Sequence, residues 1–255
     1  MSGAADTAMQ DGAGNRPAPI LSVRDLVKSF GPVRAVDGIS LDVFPREVVG
    51  IIGDNGAGKS TFLSLLTGYN ELDSGKLFYR GRPVTVRSPH TARRDLKIEM
   101  IYQRLELAPD LTVWENLFLG EELRTFGVFM RRGAMRARAQ EVLEQLKTRI
   151  RATDYVGELS GGEQQAVAIA RAILFDREVI IMDEPTAAIS VQKVEDVLTL
   201  IRSLRDGGKS VLLVSHRLED LIAVCDRVVV FYHGTIRHVF PNRNLAVADL
   251  VHAMF

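Results

Sequence analysis

The chain has 255 residues, 46% of them hydrophobic, and its 32 Lys and Arg balance its 32 Asp and Glu. A net charge of zero implies no general attraction to nucleic acid or to an anionic membrane, so no nucleic-acid partner is expected. No run reaches the roughly 18–20 apolar residues of a membrane helix, and a single cysteine, Cys225, leaves no internal disulfide and suits a reducing compartment. In "LIAVCDR" that cysteine reads as a small buried hydrophobe.

Residues 1–19 lack the basic and apolar regions of a signal peptide and are rich in Gly, Ala, Asp and Pro. They are expected to form a disordered tail on a protein that stays in the cytoplasm. From Ile20, "ILSVRDLVKSF" and "AVDGISLDVF" read as strands separated by the turn signal "FGP". "EVVGII" (47–52) is a short apolar run, as expected of a strand buried on both faces. "KSTFLSLLTG" has helical spacing and a stop at Gly68; "GKLFYRGRPV" reads as a hairpin strand and "EMIYQ" as another strand.

From about 104 to 175 the pattern is mostly helical, with Val142, Leu143 and Leu146 at helical spacing amid charge. Alternation then returns as strand "EVIIMD", helix "SVQKVEDVLTLIRSLRDGG", strand "SVLLVS", helix "RLEDLIAV" and strand "RVVVFY". Strands alternating with helices predict an α/β core with a parallel sheet, interrupted by a helical insertion. No internal repeat is visible.

Two motifs carry chemistry. "GDNGAGKST" (53–61) follows a buried strand and opens a helix, the context a P-loop requires. Gly53, Gly56 and Gly58 allow a tight turn that aims N–H groups at phosphates. Asp54, Asn55, Ala57 and Thr61 complete the loop's expected nucleotide contacts, Lys59 is expected to reach the β- and γ-phosphates from a solvent-reached position, and Ser60 to ligate Mg²⁺. "VIIMDEP" (179–185) places two carboxylates at the end of a second buried strand: Asp183 to hold Mg²⁺ through water, Glu184 to polarise an attacking water. Together they read as a nucleoside triphosphatase.

"LSGGEQ" (159–164) resembles the signature motif of ABC-transporter ATPases, and the other marks stand in that family's order: the P-loop, Gln103 in "IYQ", the signature, "IIMDEPT", and His216 in "LVSH". The resemblance implies a P-loop NTPase (RecA-like) core, an N-terminal antiparallel β subdomain and a helical subdomain inserted at about 104–175, all within one domain over 20–255. It implies ATP and Mg²⁺ as cofactors. It also explains a second glycine pair: Ser160, Gly161, Gly162 and Glu163 bind the γ-phosphate held by the P-loop of a second copy, so two chains sandwich two ATP molecules. Ser160 serves equally as a helix N-cap. Gln103 is implied to contact Mg²⁺ or the attacking water, with the loop after it reaching a membrane partner. His216 is implied to contact the γ-phosphate, and Phe30 to stack on adenine unless it is a core residue.

One position departs from the family. An aspartate commonly follows "DEPT" in a loop crossing the dimer interface, and Ser190 stands in its place here. Serine keeps a hydrogen-bonding group and loses the charge.

"GDNGAGKST", "VRSPHTAR" and "IYQRLELAPDLTVWENLFLG" look like importers of simple sugars of the ribose, xylose and fructose type. The expected role is the ATP-hydrolysing subunit at the cytoplasmic face of the membrane, working with integral membrane permease subunits and, through them, an extracytoplasmic solute-binding protein. A branched-chain amino-acid importer is the alternative within transport. Outside it stand soluble ABC ATPases of translation or repair, which carry two cassettes or long coiled-coil insertions, neither present here.

Overall fold

The computed structural model describes residues 17–254, apart from 127, 188, 190 and the side chains of 191 and 192. Most of the anticipated tail therefore lies outside the described residues, as does Ser190; residues 17–19 are coil leading into the first strand.

The N-terminal part is an antiparallel sheet. Strand β1 (Leu21–Phe30) pairs with β2 (Val33–Val43) through a tight turn. After β3 (Val48–Ile52) and helix α1 (Lys59–Leu66), the hairpin β4 (Ser74–Tyr79) and β5 (Arg82–Val84) adds to its other side, giving the order β2-β1-β4-β5. Helix α2 (Pro89–Asp95) follows, capped by Ser88, whose hydroxyl accepts from the Thr91 amide. Its short span and single buried residue, Ala92, leave no apolar stripe to read in the sequence, yet Ser88 and Pro89 are a start signal.

Strand β6 (Ile98–Ile101) ends two residues before Gln103, which sits in a bend, not at a strand end as "EMIYQ" suggested. Helices α3 (Val113–Phe118), α4 (Arg132–Gln145) and α5 (Gly161–Leu174) pack on one another around Val113, Leu117, Met135, Leu143 and Val167. Between α3 and α4 runs a small hairpin of two-residue strands, β7 (Arg124–Thr125) and β8 (Phe129–Met130), too short to leave a pattern.

The chain then returns through β9 (Val179–Asp183), α6 (Val191–Asp206), β10 (Ser210–Val214), α7 (Leu218–Val224), β11 (Arg227–Tyr232), β12 (Thr235–Pro241) and α8 (Val247–Met254). The last strand and last helix carry no strong sequence signal, since β12 is largely exposed and α8 is short. The central sheet has the order β12-β11-β3-β10-β9-β6, parallel except for β12.

Both faces of that sheet are covered, which is why its strands read as unbroken apolar runs. Along β3, Val49 and Ile51 enter the core shared with the antiparallel sheet and α1. Val48 and Ile52 enter the core under α5, α6, α7 and α8. Strands β9, β10 and β11 alternate the same way. Cys225 is buried in the second core, and burial pushes its thiol above its ordinary range. The parallel strands end on one edge, where β3 delivers the glycine loop and β9 and β10 deliver the loops described next.

Candidate active site

The glycine loop is held from two sides. Gly58 is the N-cap of α1 at φ 98°, and a Cβ there would lie 2.2 Å from the Ala35 carbonyl oxygen of β2. Gly53, at φ 150°, would set a Cβ 2.3 Å from the carbonyl oxygen of Phe231 in β11. Neither position admits a side chain. The turn between β11 and β12 clamps the loop: Gly234 N–H donates to the Ala57 carbonyl at 3.0 Å, and the Gly234 carbonyl accepts from Asp37 N–H at 2.7 Å. Helix α1 carries no acidic residue of its own in the first turn, where an anion would be opposed.

Lys59 corrects one expectation. It is buried, its ammonium donating to the carbonyls of Gly53 at 2.6 Å and Asp54 at 3.0 Å. Burial holds that ammonium below its ordinary pKa, against the opposing pull of Glu184, Asp183 and Asp54. The loop's own backbone thus takes the cation in, where the sequence alone suggested a solvated side chain.

Asp183 ends β9, opposite Val214 of β10, and Glu184 N–H donates to the Val214 carbonyl at 2.9 Å. Glu184 then adopts a left-handed backbone, φ 51°, which no glycine relieves. Its carboxylate meets two other expected site residues at once, neither of them expected as its partner. His216 Nε2 lies 2.8 Å from Oε1, and the Gln103 carboxamide donates to Oε2 at 3.3 Å. Burial first, and then the neighbouring Glu184, push the Asp183 carboxyl above its ordinary range, while Lys59 and His216 pull it back.

That balance tests a cation directly. Two crowded carboxylates, one already resisting ionisation, gain from a divalent ion beside them. Among the described residues no group of three or more His, Cys, Asp and Glu side chains is placed to hold a metal by itself. Such an ion would need further oxygen ligands from outside the chain. Beside Glu184 opens a cavity of about 350 Å³, lined also by Gln103, Leu107, Gly161 and Gln165. Among the described residues, the buried Nε2 of Gln165 finds no hydrogen-bond partner.

The model of the family described as ABC transporter matches residues 36–187. A xylose/arabinose import ATP-binding protein of Sulfolobus acidocaldarius is 44% identical over 85% of this chain and 86% of its own length. The chain belongs to the ABC transporter family. Its members are ATP-binding, ATP-hydrolysing cassettes, and this cassette is an ATPase of that kind. Ribose import ATP-binding proteins of Streptomyces avermitilis and Yersinia pestis are 40% and 39% identical over 93% and 92% of the chain. The chain spans about half of each, 47% and 46%. Among solved structures, a nucleotide-free ABC transporter cassette superposes with a TM-score of 0.81 at 27% identity, covering 92% of this chain and 95% of that one. A dimeric cassette in a post-hydrolysis state with ADP and Pi superposes with a TM-score of 0.74 at 26% identity, covering 88% of this chain and all of the other.

The cassette's signature segment begins α5. Ser160 is the N-cap, and the Glu163 carboxylate accepts from both its amide, at 2.9 Å, and its hydroxyl, at 2.6 Å. Those hydrogen bonds, the hydroxyl's first, hold Glu163 below the ordinary carboxylate range. Its side chain is therefore committed to shaping the turn that presents Gly161 and Gly162. Phe30 is 48% exposed at the end of β1, with Lys28 Nζ 5.6 Å from its ring centre, so it is not a core phenylalanine.

The sequence does not mark a buried pair beside the loops that leave β9 and β10. Thr186 Oγ1 donates to Asp220 Oδ2 at 2.7 Å, and both residues are 3% exposed. They stand 34 positions apart, and no local spacing marks them.

Proposed function

We propose that this cassette is the ATP-hydrolysing subunit energising the import of a monosaccharide. It would work as a pair of copies sandwiching two ATP molecules, docked on integral membrane permease subunits at the cytoplasmic face of the membrane. An extracytoplasmic binding protein would deliver the sugar. Supporting the sugar are the names borne by the xylose/arabinose and ribose import relatives. Among the described residues no helix is long and apolar enough to cross a membrane, so the permeation path would belong to partner subunits. The observation that carries the hydrolytic reading is the gathering of Lys59, Asp183, Glu184, Gln103 and His216 at one edge of the parallel sheet.

In this reading the amides of Gly53–Thr61 and the Lys59 ammonium hold the phosphates, and Phe30 stacks on adenine. Ser60, Asp183 and Gln103 would hold Mg²⁺, which when bound neutralises charge developing on the transferred phosphoryl group. Glu184 orients the attacking water and accepts its proton on the carboxylate, while His216 fixes that carboxylate and faces the γ-phosphate. Ser160, Gly161 and Gly162 grip the γ-phosphate of the opposite copy. Catalysis is then positioning and charge stabilisation.

Deletion and complementation test this. Removing the gene should stop uptake of one pentose or hexose and leave amino-acid uptake intact; the intact gene should restore it and a Lys59→Ala allele should not. Loss of branched-chain amino-acid uptake instead would overturn the sugar assignment, and full rescue by Lys59→Ala would overturn the role of the loop.

A further inference from the structure

The left-handed backbone of Glu184 needs an explanation. A non-glycine residue in that region stores strain and persists only where its surroundings over-determine it. One restraint is the hydrogen bond from its own amide to Val214, and another is the hydrogen bond from Ala187 N–H to its carbonyl at 3.1 Å. Both act on the backbone at the root of the loop. The second closes a turn over residues 184–187, and neither ties that turn to α7.

The third restraint is Thr186. Its hydroxyl is tied to Asp220 in the first turn of α7, and the other oxygen of Asp220 lies 3.4 Å from Nε of Arg217. Arg217 follows His216 directly, and its amide donates to Ser215 Oγ at 3.0 Å. The contacts close a ring: Glu184 to His216, along the chain to Arg217, across to Asp220, across to Thr186, and back along the chain to Glu184. Two loops from neighbouring parallel strands are thereby locked in register at the point where their functional side chains meet.

Burial makes the ring informative. A carboxylate buried this fully costs free energy unless its hydrogen bonds are made, and an apolar pair would fill the same volume without that cost. Among the described residues, no hydrogen bond or ion pair of Thr186 or Asp220 reaches a residue assigned to phosphate or adenine. Hydrogen bonds are directional where apolar contacts are not, and direction is what an over-determined backbone needs.

We infer that Thr186 and Asp220 are positioning residues for the hydrolytic step, holding Glu184 in its left-handed conformation so that its carboxylate stays aimed at His216 and Gln103. This rests on the assignment of Glu184 given above. Losing the Thr186 hydroxyl should therefore lower kcat and spare ATP binding, because the phosphate loop lies on a different strand.

The test uses the full chain and steady-state ATP hydrolysis with ATP and Mg²⁺. Thr186→Ser and Thr186→Ala both lose the methyl group and differ only in the hydroxyl. The serine variant should keep kcat within about threefold of the parent, and the alanine variant should fall by at least about tenfold, with KM for ATP within about twofold for both. A third comparison separates positioning from general damage: adding Thr186→Ala to Glu184→Gln should cost no more than about twofold beyond Glu184→Gln alone, because a hydroxyl that acts through Glu184 has nothing left to position. Equal kcat for the serine and alanine variants would overturn the inference, as would a full additional tenfold loss in the double variant. If Glu184→Gln itself hydrolyses ATP at the parent rate, the assignment of Glu184 fails. If Glu184→Gln is inactive while Thr186→Ala equals the parent, only this inference fails. Should Thr186→Ala not fold, Thr186→Val fills the site without a hydroxyl and replaces it in the same comparisons.

Discussion

His216 Nε2 lies 2.8 Å from Glu184 Oε1, so the two loops that leave β9 and β10 meet through their functional side chains. Glu184→Gln keeps the shape of that contact and removes the carboxylate that would take a proton from water. Hydrolysis is expected to slow by 10²-fold or more, on the order of a general base's contribution, while ATP binding survives. With ATP the variant should elute from size exclusion as a dimer at high protein concentration. Adding Ser160→Arg, which fills the space offered to the opposite phosphate, should return it to a monomer. Identical elution of the two proteins would sink the sandwich.

The glycine loop gives a prediction about stability. Gly58→Ala must hold φ near 98° and drive a Cβ into the Ala35 carbonyl, whereas Gly56→Ala, at φ 83°, meets nothing within 4 Å. Strain alone costs about 1 kcal/mol, and the backbone clash adds to it. Thermal melts should show Gly58→Ala losing several degrees more than Gly56→Ala. Titration with an ATP analogue should show that it no longer binds; equal melting temperatures would contradict the clamp.

Asp183 sets a pH dependence. Its carboxyl sits above the ordinary value of 3.8 because of burial and Glu184, so the folded state takes up a proton more readily than the unfolded chain. Ionising it as pH rises through the folded value therefore costs stability, and the cost is absent below the ordinary value. Asp183→Asn removes that cost. In the nucleotide-free protein with EDTA, it should raise the melting temperature near pH 8. The gain should shrink as pH falls. A gain that grows toward acid pH would show that the carboxyl is not destabilising.

Much of this site was legible because its chemistry is local in sequence. The loop at 53–61, the adjacent Asp183 and Glu184 and the Ser160–Gly162 turn each sit at an element end marked by glycine or by a buried run. The faces of β3, β9, β10 and β11 were legible for the same reason, since burial on both sides leaves unbroken apolar runs. Helix α2 was not, because Ala92 is its only buried residue and no stripe forms. Strands β7 and β8 are two residues each, below any period. The burial of Lys59 could not be read because it depends on where Gly53 and Asp54 turn their carbonyls. Thr186 and Asp220 stayed hidden because their partnership exists only once β9 and β10 lie side by side.

The clamp on the glycine loop has a consequence for how the chain matures. Its inner side rests on Ala35, near the start of the chain, and its outer side on Phe231 and Gly234, near the end. During synthesis the loop's own residues emerge early, yet the turn that grips Ala57 leaves the ribosome only after α6, β10 and α7 have passed. A nascent chain stopped before β11 carries every letter of the phosphate motif but lacks the Phe231 and Gly234 side of its clamp. Closure of the clamp therefore waits for the longest-range contacts in the sheet.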